Sequence, residues 1–224
     1  MSRRAPAAFE SRPYRSLLAC VLLLAGCNST SQMYSAQLLA DPSGVALKSG
    51  DLESFGLAFI TPSTVTGQEE DKAALALAFS KALASQRPNV RVVPLNETLT
   101  GVNRAGLSET YRRMVTEYRD SGLLDRAALS QIGEATGARY IALLNMAGFQ
   151  QVYHDRLGIF GLRVLQTKEA NIRLTLQIWN SGDGSIAWQG SQEVQMASET
   201  AAESAVSFWS VVQAAAVKLA AGMP

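Results

Sequence analysis

Cysteine and histidine are nearly lacking in this sequence. The 224 residues contain two cysteines, Cys20 and Cys27, and one histidine, His154. Thiolate and imidazole are the usual ligands of transition metals in proteins, so a site here would consist of carboxylates alone. We therefore expect no metal ion and no cofactor.

No charge of one sign predominates either. The formal net charge is +1, and the first 26 residues carry four arginines against one glutamate, which leaves −2 for the remainder. Nucleic-acid binding calls for a basic stripe, so we expect no nucleic acid as a partner. The glycines near Thr61 and Gly67 lack the spacing and the lysine of a phosphate loop, and no small-molecule substrate is evident.

Signatures of hydrolytic enzymes are also lacking. The sequence has no Gly-x-Ser-x-Gly and no His-Glu-x-x-His motif. His154 stands beside Asp155, but neighbouring residues of an extended chain point in opposite directions and do not form a dyad. We expect a protein that is not an enzyme, and a serine hydrolase using His154 and Asp155 is the alternative from another class.

The amino terminus has the organisation of a secretory signal. Arginines precede an apolar run at residues 17–26, which is about ten residues long and too short for the roughly 20 that span a bilayer. Leu24, Ala25, Gly26 and Cys27 resemble the lipobox of bacterial lipoproteins. The resemblance implies that the chain is cleaved before Cys27, which becomes the first residue and is acylated with palmitate or a related chain. Cys20 is removed with the signal peptide. An ordinary signal with a coincidental cysteine is the alternative.

Three segments follow from this interpretation. Residues 1–26 are the signal peptide, residues 27–52 are the acylated cysteine and a flexible tether, and residues 53–224 are one α/β domain. The tether is rich in Ser, Gly and Ala, and its typical span is about 30 Å. Position 28 is Asn and not Asp, which by resemblance to the enterobacterial sorting rule implies the periplasmic face of the outer membrane.

Apolar patterns predict strands and helices in alternation. Strands are predicted at residues 55–60, 89–95, 139–146, 171–179 and 185–194, with a tight hairpin at residues 181–184. Helices are predicted after the N-terminal caps Thr66, Ser108, Asp125 and Thr200, and before the C-terminal glycines Gly122 and Gly137. Residues 139–146 are apolar on both alternating faces, which is typical of a central strand covered on both sides.

The element order defines the expected fold. It is β-α-β-α-α-β-β-β-α, an α/β sandwich of two or three layers with one mixed sheet of about five strands. "IGEATGARYIALLNM" and "LTLQIWNSGDGSIAWQG" are similar to the helix–strand and hairpin segments of the curli-secretion lipoprotein family and of the amino-terminal domain of TolB. Outer-membrane activators of penicillin-binding proteins are similar in fold. The resemblance implies a non-enzymatic protein that binds partners in the cell envelope.

Two surfaces are candidates for partner binding. If Gly182 and Asp183 form the hairpin tip, Trp179, Ile186 and Trp188 share one face of the sheet, either as an exposed patch or as core under a helix. The loop at residues 152–163 presents Ile159 and Phe160.

We expect a lipid-anchored adaptor that binds an envelope protein or a second copy of itself. A subunit of a curli-type secretion assembly is the alternative, which the charges and two internal glycines of residues 148–170 disfavour.

Overall fold

The computed structural model describes residues 31–40, 47–64, 69–159, 162–200 and 208–224. Its helices are α1 (Asp51–Phe55), α2 (Glu69–Gln86), α3 (Leu95–Arg104), α4 (Ser108–Ser121), α5 (Arg126–Thr136) and α6 (Phe208–Ala221). Its strands are β1 (Ser31–Ala40), β2 (Leu57–Phe59), β3 (Ser63–Thr64), β4 (Val92–Val93), β5 (Tyr140–Ile159), β6 (Leu162–Asn180) and β7 (Ile186–Thr200).

The strands form one mixed sheet in the order β1-β7-β6-β5-β2-β4, with β3 beside β5. β2 is parallel to both β4 and β5, and β3 is parallel to β5. The successive pairs β5–β6, β6–β7 and β7–β1 are antiparallel. Parallel neighbours need a crossover, and α2 supplies it between β2 and β4. The predicted α/β class with one mixed sheet is confirmed.

Helices cover both faces of the sheet, so the molecule has three layers. On one face, α2 and α6 pack on Phe59, Leu144 and the alternating residues of β6. On the other face, α3, α4 and α5 pack on Ile60, Ile141 and Leu143. Burial of both alternating sets of β5 is what its unbroken apolar sequence predicts, because only a strand covered on both sides can bury both.

β5, β6, β7 and β1 run antiparallel, and we call their far end, which consists of residues 149–159, 162–172, 194–200 and 31–35, the ribbon. Ser31 of β1 pairs with Ser198 of β7, and Ala40 pairs with Gly190. Residues 31–40 are therefore a sheet strand, although the sequence analysis placed them in a flexible tether. Leu47 and Leu52, also assigned to the tether, are buried in the core. Because strand propensity depends on the neighbouring strand, this segment alone does not signal its pairing with β7.

Proline ends the second predicted strand early. Only Val92 and Val93 of residues 89–95 pair in the sheet, and α3 begins at Leu95 directly after Pro94. Pro94 has no N–H to donate to a neighbouring strand, and its fixed φ suits the start of a helix. α3 is a helix that the sequence analysis did not predict.

Three of the predicted helix ends are present in the structure. Asp125 Oδ1 accepts a hydrogen bond of 2.8 Å from the Ala128 N–H, and Gly137 ends α5 in the left-handed conformation, as predicted. Gly122 ends α4 in the same way. Ser108 is not a cap, since its hydroxyl donates to Asn103 Oδ1. Thr200 is the last residue of β7, and residues 201–207, which would show whether it caps a helix, lie outside the described part of the chain. Thr66 lies outside the described residues.

None of the helices in the described part of the chain combines the length and apolar character that a membrane crossing needs.

Candidate functional site

The two hairpin tryptophans lie on opposite faces of the sheet. Trp179 pairs with Ile186 as expected, but Trp188 pairs with Ile178 and not with Gln177. An irregularity between Ile178 and Trp179 shifts the register by one residue, and a shift of one residue moves a side chain to the other face.

Both tryptophans are buried core residues. Trp179 packs under α5, and Trp188 packs on the face that carries α2 and α6. Of the three predicted surface residues only Ile186 is exposed, at 37%. The predicted exposed patch of Trp179, Ile186 and Trp188 is therefore wrong, and the alternative that helices cover the tryptophans is the correct one.

The other predicted positions fall in the ribbon or outside the described residues. Ile159 is the last residue of β5, where it pairs with Leu162. Phe160 and Cys27 lie outside the described residues. His154 and Asp155 pair with Thr167 and Gln166 as successive residues of β5. The prediction of a loop is wrong for residues 152–159, because they pair with β6 as part of β5. Among the described residues, Ile159 lies far along the sheet from Trp179, Ile186 and Trp188.

A cleft opens where β2 ends, at the carboxyl edge of the parallel strands, which is the usual ligand position in α/β folds. Its volume is about 410 Å³. The lining combines hydroxyls, two cations and apolar side chains: Ile60, Thr61, Pro62, Ser63, Thr64, Lys72, Val115, Tyr118, Arg119, Leu124 and Leu143. No carboxylate is among these lining residues.

Two tyrosines of α4 organise this edge. The Tyr111 hydroxyl accepts a hydrogen bond of 2.8 Å from the Thr61 N–H and lies 2.8 Å from Thr61 Oγ1. Burial raises the pKa of Tyr111, and its hydrogen bonds with Thr61 oppose the shift. The phenol therefore stays neutral and holds Thr61, the second residue after β2, against α4.

Tyr118 begins a chain of hydrogen bonds across the sheet. Its hydroxyl accepts from Asn145 Nδ2 at 2.9 Å and donates to Gln177 Oε1 at 3.0 Å. Gln177 Nε2 in turn donates to Gln189 Oε1 at 2.8 Å. Burial raises the pKa of Tyr118, against the bond from Asn145. The chemistry of the cleft is that of a pocket for a polar or anionic group beside an apolar one.

A second concave surface lies between α2 and α3, and we call it the α2–α3 groove. Its volume is also about 410 Å³. Among the side chains that the structure describes, its lining contains no charged residue and consists of Ala73, Leu77, Ser80, Pro94, Leu95, Asn96 and Leu99. Leu77 is 46% exposed and Leu99 is 39% exposed. Two large exposed leucines beside an uncharged groove form an apolar surface suited to protein contact.

The sequence analysis missed this groove because it missed α3. Leu95, Leu99 and Val102 have helical spacing, and Thr98 and Val102 are the buried positions of the helix. The signal was present, but the strand prediction across Pro94 obscured it.

Among the described residues, no three His, Cys, Asp or Glu side chains are grouped closely enough to hold a metal ion.

Comparisons with known proteins find similar structures only. No protein-family model matches the chain, and no curated protein sequence matches it. The chain is similar to the PelC dodecamer from Paraburkholderia phytofirmans, with a TM-score of 0.43 and 12% identity over 85% of this chain and 94% of that chain. A variant of that dodecamer in a second crystal form also has a TM-score of 0.43, with 13% identity over 86% of this chain and 95% of that chain. The chain is also similar to lipoprotein GNA1162 from Neisseria meningitidis, with a TM-score of 0.38 and 13% identity over 74% of this chain and 98% of that chain. No function is transferred from these proteins.

Proposed function

We propose that this chain is a lipid-anchored envelope lipoprotein whose α/β domain binds another protein without catalysing a reaction. The charged start, the short apolar run and Leu24-Ala25-Gly26-Cys27 support export and acylation at Cys27. Asn28 favours the outer membrane over the inner membrane. Mass spectrometry of the membrane-extracted protein tests this part, with a Cys27→Ser variant as the control that cannot be acylated.

The α2–α3 groove is the proposed docking surface, and the exposure of Leu77 and Leu99 is the observation that carries it. Monomeric proteins expose single leucines routinely, but two beside one uncharged cavity form a continuous apolar surface. Burying such a surface stabilises a complex by roughly 25 cal/mol for each Å² of apolar area removed from water.

The occupant that fits this groove is the apolar face of a partner helix. The groove lies between two helices, and helix-in-groove recognition places apolar residues at positions i, i+3 and i+4 of the bound helix. A charge on that face would lose its hydration against the uncharged lining without gaining a partner. The partner is therefore an envelope protein that presents an amphipathic helix.

Site-specific photo-cross-linking in intact cells tests the docking surface. We expect a photoreactive amino acid at Leu77 or Leu99 to yield one cross-linked product. Leu123, which is 66% exposed and does not line the groove, is the matched control position and should yield none. Equal products at all three positions would contradict the proposal. A product consisting only of two copies of this chain would replace the adaptor role with self-assembly.

A charge-introducing substitution gives an independent measurement. Leu99→Asp should abolish the product formed from position 77, because a carboxylate in the groove opposes burial. Leu123→Asp should leave that product unchanged. Circular dichroism of both variants checks that the fold is retained.

A further inference from the structure

The position of β1 limits how far the sheet can lie from the anchor. Three residues separate Cys27 from Ser31, the first residue of β1. Even a fully extended chain spans at most about 14 Å over four residues. Acyl chains on Cys27 would hold that residue at the membrane surface, so the first residue of β1 would lie within the same distance of the surface.

The ribbon continues beyond the level of Ser31. Cross-strand pairing aligns Ser31 with Ser198, Ser198 with Lys168, and Lys168 with Tyr153. β5 runs six residues past Tyr153 to Ile159, and β6 starts six residues before Lys168. At about 3.4 Å per residue, the end of the β5–β6 hairpin extends roughly 20 Å past the start of β1. That length exceeds the reach of the short anchor segment.

The sequence of this end suits a lipid surface. Residues 156–165 read "RLGIFGLRVL", in which six residues are large and apolar, two are arginine and none is acidic. The described strand residues of this end, 156–159 and 162–165, contain five of the six large apolar residues and both arginines. Arginines beside apolar residues favour the boundary between acyl chains and phosphate headgroups, where a long side chain reaches the phosphates.

We propose that the ribbon end, residues 156–159 and 162–165, inserts into the surface of the phospholipid leaflet that holds the acyl chains of Cys27. The inference rests on the acylation of Cys27 proposed above. It adds a second membrane contact, made by the fold itself, and thereby sets the orientation of the domain: the ribbon faces the membrane, and the Asn180–Ser185 hairpin faces away.

Charge limits the depth of this contact. Residues 156–165 contain two arginines, and a charged side chain is costly to place in hydrocarbon. The ribbon end therefore lies in the interfacial layer, about 5–10 Å deep.

The cysteine content of the mature chain makes a direct test available. With Cys20 removed and Cys27 acylated, Ile159→Cys would provide the one free thiol. We would attach a nitroxide there and reconstitute the acylated full chain in vesicles of phosphatidylethanolamine and phosphatidylglycerol. We expect the nitroxide at position 159 to collide with a water-soluble nickel complex several-fold less often than the same label at Ile186→Cys. Ile186 is the matched exposed isoleucine at the other end of the sheet.

A second label position and a mass spectrum distinguish failure of the ribbon-end inference from failure of the proposed function. Leu162→Cys, opposite Ile159, serves as a second label position if Ile159→Cys does not fold. An acylated protein whose label at 159 is as accessible to nickel as the label at 186 would overturn the ribbon-end inference alone. A mass spectrum that shows no acyl group on Cys27 would instead overturn the proposed function.

Discussion

Thr98 shows how one buried hydroxyl affects stability. The residue is fully buried in α3, and among the described residues Oγ1 has no hydrogen-bond partner. An unsatisfied buried hydroxyl costs about 1–3 kcal/mol, and valine replaces it with a methyl group of similar shape. We expect Thr98→Val to raise the free energy of unfolding by about 1 kcal/mol, as measured by urea denaturation.

Thr100 of the same helix is the matched control. It is exposed, and its Oγ1 donates a hydrogen bond of 2.7 Å to the Asn96 carbonyl. Thr100→Val removes that bond, so we expect no gain in stability. A loss of stability in Thr98→Val would show that the hydroxyl of Thr98 is satisfied in solution.

Gly190 leaves the space in which the side chain of Trp188 lies. A Cβ at position 190 would lie 2.4 Å from Cη2 of Trp188, so the indole occupies the space that a side chain would fill. Alternation correctly placed Trp179 opposite Ile186. It could not reveal the one-residue irregularity next to Trp179, because alternation assumes an uninterrupted register.

At the scale of elements, Arg87 joins three parts of the chain. It follows α2, donates to Glu53 Oε1 of α1 at 2.9 Å, and donates to the carbonyl oxygens of Met223 and Pro224. Burial tends to raise the pKa of Glu53, but the hydrogen bond from Arg87, a backbone hydrogen bond and the positive charge of Arg87 together outweigh it, and the pKa is lowered from 4.5.

A lowered pKa in the folded state fixes the pH dependence of this contact. The ionised pair stabilises the fold above the unfolded-state pKa near 4.5, and this contribution is lost as the pH falls through the lower folded-state pKa. We expect Glu53→Gln to reduce the free energy of unfolding at pH 7 by about 1 kcal/mol or less. The difference from the unsubstituted protein should shrink on acidification below 4.5, as followed by urea titrations at several pH values.

Glu109→Gln is the control for that measurement. Glu109 pairs with Arg112 on the exposed side of α4, with both side chains more than 70% exposed. Solvent screening reduces such pairs, so its effect should be smaller than that of Glu53→Gln at every pH. A larger effect at Glu109 would contradict the role assigned to Arg87.

Local signals predicted some elements well and others poorly. α5 has Asp125 at one end, Gly137 at the other and Leu129 with Ile132 between them, so its sequence alone defines it. α1 and β1 lack such signals, because a five-residue helix and an uncharged Ser-rich strand depend on neighbours that are distant in sequence. The candidate site was missed for a related reason, since the α2–α3 groove exists only where two helices meet.

At the scale of the whole molecule, the sheet couples its two covering layers. Leu83 of α2 is buried on one face and Leu129 of α5 on the other, and β5 contributes residues to both clusters. A shared strand cannot leave one layer without disrupting the other, so we expect a single unfolding transition. Leu83→Ala and Leu129→Ala should each lower its free energy by about 2–5 kcal/mol.

Calorimetry and circular dichroism together measure this cooperativity. The enthalpy from heat absorption should equal the van't Hoff enthalpy in both variants. Two separate transitions, each shifted by one substitution alone, would show that the layers unfold independently.

The pairing of β1 with β7 also determines the order in which the sheet is completed. Synthesis delivers β1 before every other described strand, while the strand that it joins is the last of them. Closing so long a loop is slow, so β1 stays unpaired until the other described strands have been delivered. The strand that is made first is therefore the last to take its place in the sheet.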